Sequence, residues 1–127
     1  MEQLTERIFD VTEEGFEQVA LEVFAFQYQR VPIYKQYCDL LKRTPANVST
    51  LSEVPFLPIE FFKTHEVIAE GREAQCIFES SGTTGQVPSR HRVADTGIYE
   101  QSFRKCFDLF YGPVEEYVIL ALLPSYL

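Results

Sequence analysis

Between Phe16 and Phe24 the apolar side chains recur at i, i+3, i+4, i+7 and i+8 (Phe16, Val19, Ala20, Val23, Phe24), and Gln27 closes the row at i+11. That spacing marks one continuous face of a helix with 3.6 residues per turn. Thr12 ahead of the run can cap free backbone N–H groups, and Glu13 and Glu14 suit the positive end of a helix dipole, so the helix is predicted to open at Thr12. Pro32 breaks the pattern. Proline is tolerated in the first turn of a helix, so residues 33–42 are predicted as a second helix with Tyr34, Tyr37, Cys38 and Leu41 turned inward.

The next stretch changes character. Residues 44–58 hold Pro45, Pro55 and Pro58 around a polar run, which excludes a long helix or a central strand. Phe56, Leu57, Ile59, Phe61 and Phe62 are strongly apolar, so the segment is expected to be an irregular connector docked on a core. Short apolar runs at 67–69 and 76–78, separated by a turn-like Glu-Gly-Arg-Glu, read as strands or edge segments. Asp95 can cap a helix running to about Phe110 with Ile98, Phe103, Phe107 and Phe110 apolar, and Gly112 and Pro113 end it. Residues 117–123 form an unbroken apolar run, the pattern of a strand buried on both faces of a parallel or mixed sheet.

Strand, loop, helix, strand is the order of an α/β unit, here preceded by a helical pair. The last strand pattern is followed only by Pro-Ser-Tyr-Leu, with no helix to cover its second face. The expected architecture for residues 1–127 is therefore α/β, N-terminal helices followed by part of a mixed sheet, as the N-terminal portion of a larger protein. A chain of 127 residues, 46 % hydrophobic and 24 % charged, has the composition of a soluble globular protein, and its eleven Phe and seven Tyr with no Trp make the core aromatic.

A formal charge of −8 argues against a general nucleic-acid surface, which needs clustered Lys and Arg. An anionic ligand needs a local basic site instead. The dense cluster is Arg90, His91 and Arg92, with Arg72 and Lys63 more scattered. Cys38, Cys76 and Cys106 are an odd set without CxxC spacing, fitting neither a disulfide framework nor a zinc site, so they read as structural thiols. The acidic start lacks the pattern of a signal peptide, and no run reaches the length of a membrane span; a cytoplasmic protein is expected.

The chemistry concentrates at residues 78–92, FESSGTTGQVPSRHR. Gly82 and Gly85 permit backbone conformations that direct N–H groups into one concavity, and Ser80, Ser81, Thr83 and Thr84 add hydroxyl donors around it. The stretch matches neither GxxxxGK[ST] nor GxGxxG, so it is neither a P-loop of the NTPase kind nor a dinucleotide fingerprint. The bland alternative is a solvent loop, since Ser, Thr and Gly clusters usually are. Position favours chemistry: a loop after a strand end in an α/β sheet lies where ligands bind, and basic residues follow at once. Three other residues read more blandly. Lys63 suits a lysine snorkelling from an aromatic cluster, His65 a solvated or hydrogen-bonded histidine, and Glu60 either an outward charge or a buried carboxylate.

SSGTTG at 80–85 resembles the phosphate-loop motif of the adenylate-forming superfamily. FAFQYQ at 24–29, PIYK at 32–35, VPFLPIEFFK at 54–63 and LLPSYL at 122–127 extend the resemblance, over nearly the whole chain, to the N-terminal part of acyl-protein synthetases of the LuxE type. The resemblance implies an adenylate-forming fold and, with ATP and Mg²⁺, activation of a fatty acid or other carboxylic acid to an acyl-adenylate. The acyl group then passes to a protein thiol and on to an acyl-reductase partner. It puts the phosphate role on Ser80, Ser81, Gly82, Thr83, Thr84 and Gly85. The superfamily loop commonly continues Gly-Xaa-Pro-Lys, whereas this chain has GQVPSR, one residue longer and without the lysine, which leaves Arg90 or His91 to replace that charge. The adenine and ribose segments and the acyl-accepting cysteine of such enzymes are expected beyond Leu127, so no catalytic residue is assigned, no metal ligand is named, and 1–127 alone is expected to be inactive. Two other readings stand beside it: a non-catalytic anion-binding or protein-interaction module, and a CoA-transferring ligase of the same superfamily.

Overall fold

The first corner of the chain is at Val31. In the computed structural model, which describes residues 2–80 and 87–121, helix α2 (Phe16–Arg30) ends there and helix α3 (Pro32–Leu40) begins at the next residue. Val31 is extended (φ −107°, ψ 102°), as the residue before a proline prefers to be. Its N–H donates to Gln27 O at 2.9 Å, and its carbonyl accepts from Lys35 N at 2.9 Å. The corner thus closes one helix and opens the next, and Pro32 at the first helical position lacks only an N–H that would have gone unpaired.

Turned back in this way, α2 and α3 bring Phe24 and Cys38 together under Val48 of the following connector. Phe24 is 4 % exposed and Cys38 fully buried, with Leu21, Tyr28, Tyr34 and Val54 packed around them. The Phe24 ring lies 6.1 Å from Tyr34, edge to face, and 6.4 Å from Tyr28, arrangements the ring quadrupoles favour. Tyr34 donates its hydroxyl to Pro55 O at 2.7 Å, pinning the connector to α3. Burial pushes its pKa up, with Cys38 beside it adding in the same direction, so the phenol stays neutral.

The helix boundaries differ from the expected ones for identifiable reasons. Residues 12–15 form a turn (Gly15 N–H to Thr12 O, 3.1 Å) rather than the first turn of α2, so Thr12 does not cap it and Gly15 takes the N-cap position without a side-chain cap. A further helix, α1 (Glu2–Phe9), precedes that turn where only a charged acidic start was expected. Arg7 bridges from it to Glu22 of α2 through two hydrogen bonds, one of them Nη2 to Oε1 at 2.9 Å. Helix α3 stops at Leu40 because Lys42 takes a left-handed φ of 56°. Arg43 N–H then reaches Cys38 O at 2.9 Å and Lys42 N–H reaches Asp39 O at 3.0 Å, the paired bonds of a Schellman ending. Leu41, expected inward, lies past the last helical turn and is exposed.

The proline-rich stretch is a packed connector, as expected, organised around two polar side chains. Asn47 donates to Lys42 O at 2.8 Å and accepts from Thr44 N at 2.7 Å. Glu53, in a single 3₁₀ turn (Leu51–Glu53), accepts from Ser49 N at 2.9 Å and Thr50 N at 3.3 Å and pairs with Arg43 at 3.3 Å. Of its apolar residues, Val48 is buried and Leu57, Phe61 and Phe62 are partly covered, whereas Phe56 and Ile59 face solvent. A short helix, α4 (Phe61–Thr64), follows.

Residues 67–69 are not a strand. They run irregularly to Glu70, whose N–H donates to Arg30 O at 2.7 Å, satisfying a carbonyl left free at the end of α2. The second expected strand exists, as β1 (Cys76–Glu79), but it pairs antiparallel with β2 (Arg90–Val93). The basic run is thus a strand, and residues 80–89 connect a hairpin instead of leading from strand to helix. Helix α5 (Thr96–Tyr111) follows close to its expected limits. The Gln75 carboxamide oxygen accepts from Thr96 N at 3.0 Å at its start, and Gly112 at φ 86°, donating to Asp108 O at 3.0 Å, ends it.

About half of the described residues are helical, and the β structure among them is this one antiparallel pair. The architecture is mixed α and β, without the parallel pairing expected of an α/β unit among the described residues. The chain divides after Thr96 into two compact units. In the second, Phe107 packs on Tyr111 (5.1 Å) and edge-on to Tyr117 (5.4 Å), and Tyr117 donates its hydroxyl to Tyr111 O. The apolar run from Tyr117 was expected to be a doubly buried strand. As far as Ala121 it is neither strand nor buried, with Val118 90 % and Leu120 88 % exposed. Among the described residues no neighbouring strand supplies the ladder that such a run needs. Leu122 and Leu123 lie outside the described residues. No helix among those described is long and apolar enough to cross a membrane.

Two outcomes follow for stability. Phe24→Ala removes the ring on which α2, α3 and the connector meet, and should cost about 3–5 kcal/mol in urea denaturation; a cost below about 1 kcal/mol would show that the core is elsewhere. The Glu53 carboxylate is held below its ordinary pKa of 4.5, first by the Ser49 N–H. Its folded pKa is below its unfolded one, so its contribution is complete above about pH 5 and is lost as the pH falls through the folded value. Glu53→Gln should therefore flatten the acid limb of the stability curve below about pH 5, as measured by urea denaturation at a series of pH values.

Candidate functional site

The hairpin decides what the SSGTTG stretch is attached to. Its base is closed twice: Ser80 N–H donates to Ser89 O at 3.1 Å, and Ser89 N–H donates to Ser80 Oγ at 3.0 Å. One of the predicted hydroxyls, Ser80, thus serves to clasp the two ends of the loop. Ser81, Gly82, Thr83, Thr84 and Gly85 lie outside the described residues.

Strand alternation sorts the basic cluster. Successive side chains point to opposite faces of a strand, and the register pairs Glu79 with Arg90, Phe78 with His91 and Ile77 with Arg92. Ile77, Glu79, Arg90 and Arg92 share one face and line an open concavity of about 550 Å³. His91 is on the other face, its ring 5.6 Å from Phe62 of α4 and edge-on to it. The sequence offers Arg90 or His91 to replace the missing lysine. They do not act at one place: Arg90 stands at the foot of the loop, and His91 belongs to the packing between α4 and β2. Arg92 was not assigned to the site, and it shares the cavity with Arg90. The Arg-x-Arg spacing would have pointed to it had 90–93 been read as a strand.

Both arginines are held by carboxylates. Arg90 Nε donates to Glu79 Oε1 at 2.8 Å, with the two side chains 56 % and 50 % exposed. Arg92 Nε lies 3.2 Å from Glu66 Oε1, and Arg92 is the more covered of the pair at 21 %. Glu66 also lines a second groove of about 500 Å³ between the start of α3 and residues 65–72, with Pro32, Ile33, His65 and Arg72.

His65 shares a hydrogen bond of 2.8 Å with Thr64 Oγ1 and stacks on Phe61 at 5.1 Å, the hydrogen-bonded role expected of it. Lys63 and Glu60 are exposed, so Glu60 is an outward charge. Cys38 is a structural thiol in the core, and burial raises its pKa; Cys76 is partly covered and Cys106 exposed. Compared with protein-family models, with curated proteins and with solved structures, the chain gives no match.

Ser80→Ala deletes one of the two bonds at the base of the loop. Its expected cost is at most about 1 kcal/mol, felt locally, so the Ser89 amide should exchange with solvent about fivefold faster while the amides of α2 are unaffected. Unchanged exchange at Ser89 would mean that the hydroxyl does not clasp the loop.

Proposed function

We propose that these residues are the phosphate-loop portion of an adenylate-forming enzyme of the acyl-protein synthetase kind. In this reading the chain is the N-terminal part of a larger protein that activates a fatty acid or another carboxylic acid with ATP. The observation that carries the reading is the SSGTTG stretch itself, mounted on a hairpin whose base is clasped by Ser80 and Ser89 and whose foot carries Arg90. A Ser/Thr/Gly loop offers neutral N–H and O–H donors, and a guanidinium beside it adds positive charge in a geometry suited to phosphate oxygens.

The described residues fit a phosphate ligand in their chemistry: two arginines line the concavity next to the loop. Among them no cluster of three or more His, Cys, Asp or Glu groups could hold a metal by itself. Mg²⁺ in this reading is carried by the phosphates of ATP, as it commonly is.

The proposed reaction has two steps. A carboxylate oxygen of the acid attacks the α-phosphorus of ATP, and the bond to the pyrophosphate leaving group breaks; the thiolate of a protein cysteine then attacks the acyl carbon and displaces AMP. Donors aimed at the phosphates stabilise the charge that develops on the leaving pyrophosphate. Transfer onward to a reductase partner, and location in the cytoplasm, are parts of the same proposal.

The test is fatty-acid-dependent ATP–pyrophosphate exchange by the full-length protein that carries these residues. Wild type should exchange, and Thr83→Ala with Thr84→Ala should lower the rate at least about tenfold, the loss of one to two phosphate hydrogen bonds, with the fold unchanged by circular dichroism. No exchange with any acid across a panel of chain lengths would overturn the adenylation reading. An acyl-protein that forms without CoA and is cleaved by hydroxylamine would separate protein acylation from CoA ligation.

A further inference from the structure

We infer that Arg90 and Arg92 together form a two-point platform for a polyphosphate chain, with Glu79 as the resting partner that the ligand displaces from Arg90. The inference rests on the reading of this hairpin as a phosphate site and adds to it a residue, a ligand length and a competing group.

The geometry comes from β2. Arg90 and Arg92 are separated by one residue on an antiparallel strand, so they project from the same face with backbone origins about 7 Å apart. Both line the concavity of about 550 Å³. His91 between them is turned to Phe62 and contributes no charge to this face. A diphosphate or triphosphate presents negative oxygens along a length comparable to that spacing, so each arginine can take its own phosphate, whereas a monophosphate offers the pair less charge and fewer oxygens.

The electrostatics favour exchange of partners. The Arg90–Glu79 contact is made through Nε to one carboxylate oxygen, at 2.8 Å, on two side chains that are about half exposed. Exposed pairs of this kind are weak, because water screens them and the side chains lose freedom in making them. A phosphate offers the guanidinium a charge-assisted, two-bonded partner, which is stronger. Glu66 holds Arg92 from the side, and it is the more exposed member of that pair. With both carboxylates in place the face is neutral, so it does not attract anions indiscriminately in a chain of charge −8; a ligand able to replace Glu79 uncovers the charge of Arg90 only as it binds.

The test is calorimetric titration of this protein with inorganic triphosphate, with inorganic monophosphate and an aspartate-rich peptide as parallel probes. Triphosphate should bind, and monophosphate should bind at least about tenfold more weakly. Arg90→Ala and Arg92→Ala should each weaken triphosphate binding about tenfold, and Glu79→Gln should tighten it about threefold, a gain that a merely loosened hairpin does not produce. ATP that competes with triphosphate identifies the source of the phosphates as a nucleotide, and ATP that does not compete identifies it as free polyphosphate. Equal binding by the Arg92→Ala variant, no gain in Glu79→Gln, or tighter binding of the acidic peptide would overturn the platform. The two readings fail separately. Triphosphate binding lost in the arginine variants without acid-dependent exchange removes the adenylation and leaves the platform; full exchange by the full-length Arg92→Ala protein removes the platform and leaves the adenylation.

Discussion

The corner at Val31 is the constraint on which the N-terminal unit depends, because three separate connections are made within one residue of it. The residue ends α2 through Gln27, begins α3 through Lys35, and is itself 5 % exposed. The carbonyl of Arg30 just before it accepts the N–H of Glu70 and so draws in the segment that leads to the hairpin. Across the same corner, Tyr28 and Lys35 both donate to Asp39 at 2.6 Å, and the Lys35 ammonium lies 4.9 Å from the Tyr28 ring centroid. These polar contacts are exposed and add little by themselves. What they do is hold α3 in the register that places Cys38 against Phe24, where burial supplies the larger energy.

Polar side chains then complete what the small core begins. Glu17 accepts the Leu51 N–H at 2.8 Å, Glu53 gathers the amides of Ser49 and Thr50, and Asn47 closes the turn after α3. A connector without long secondary structure must satisfy its backbone groups individually, and here carboxylates and a carboxamide do so. This is one use for the acidic excess of the chain: several of its carboxylates are structural acceptors for backbone amides and arginines rather than a repelling surface.

The same principle operates at the hairpin with a different outcome. Glu79 and Glu66 pair with arginines rather than with backbone, and those pairs are open to water. Pairing of β1 with β2 is what divides the basic cluster into two arginines on one face and a histidine on the other. In the second unit the stabilising contacts are aromatic, Phe107 with Tyr111 and Tyr117, and many of the remaining large apolar side chains of α5, including Leu109 and Phe110, are exposed.

How much of this was legible in the sequence follows from how local each feature is. The 3.6-residue rhythm of Phe16 to Phe24, the proline at 32 and the glycine at 112 act within a turn or two of themselves, so α2, α3 and α5 could be read directly. Helix α1 is tied to α2 by an ion pair to a residue fifteen positions away, a contact that its charged sequence does not announce. Similarly, the apolar run after Tyr117 has the composition of a buried strand, yet a strand is completed only by a neighbour, which composition does not specify. The chemistry of the site divides the same way. The sequence alone identified a Ser/Thr/Gly stretch beside a basic cluster, since residue types and spacing are local facts. Which basic groups could act together was decided by the tertiary structure, because the antiparallel partner of β1 sets the face on which each side chain of β2 emerges.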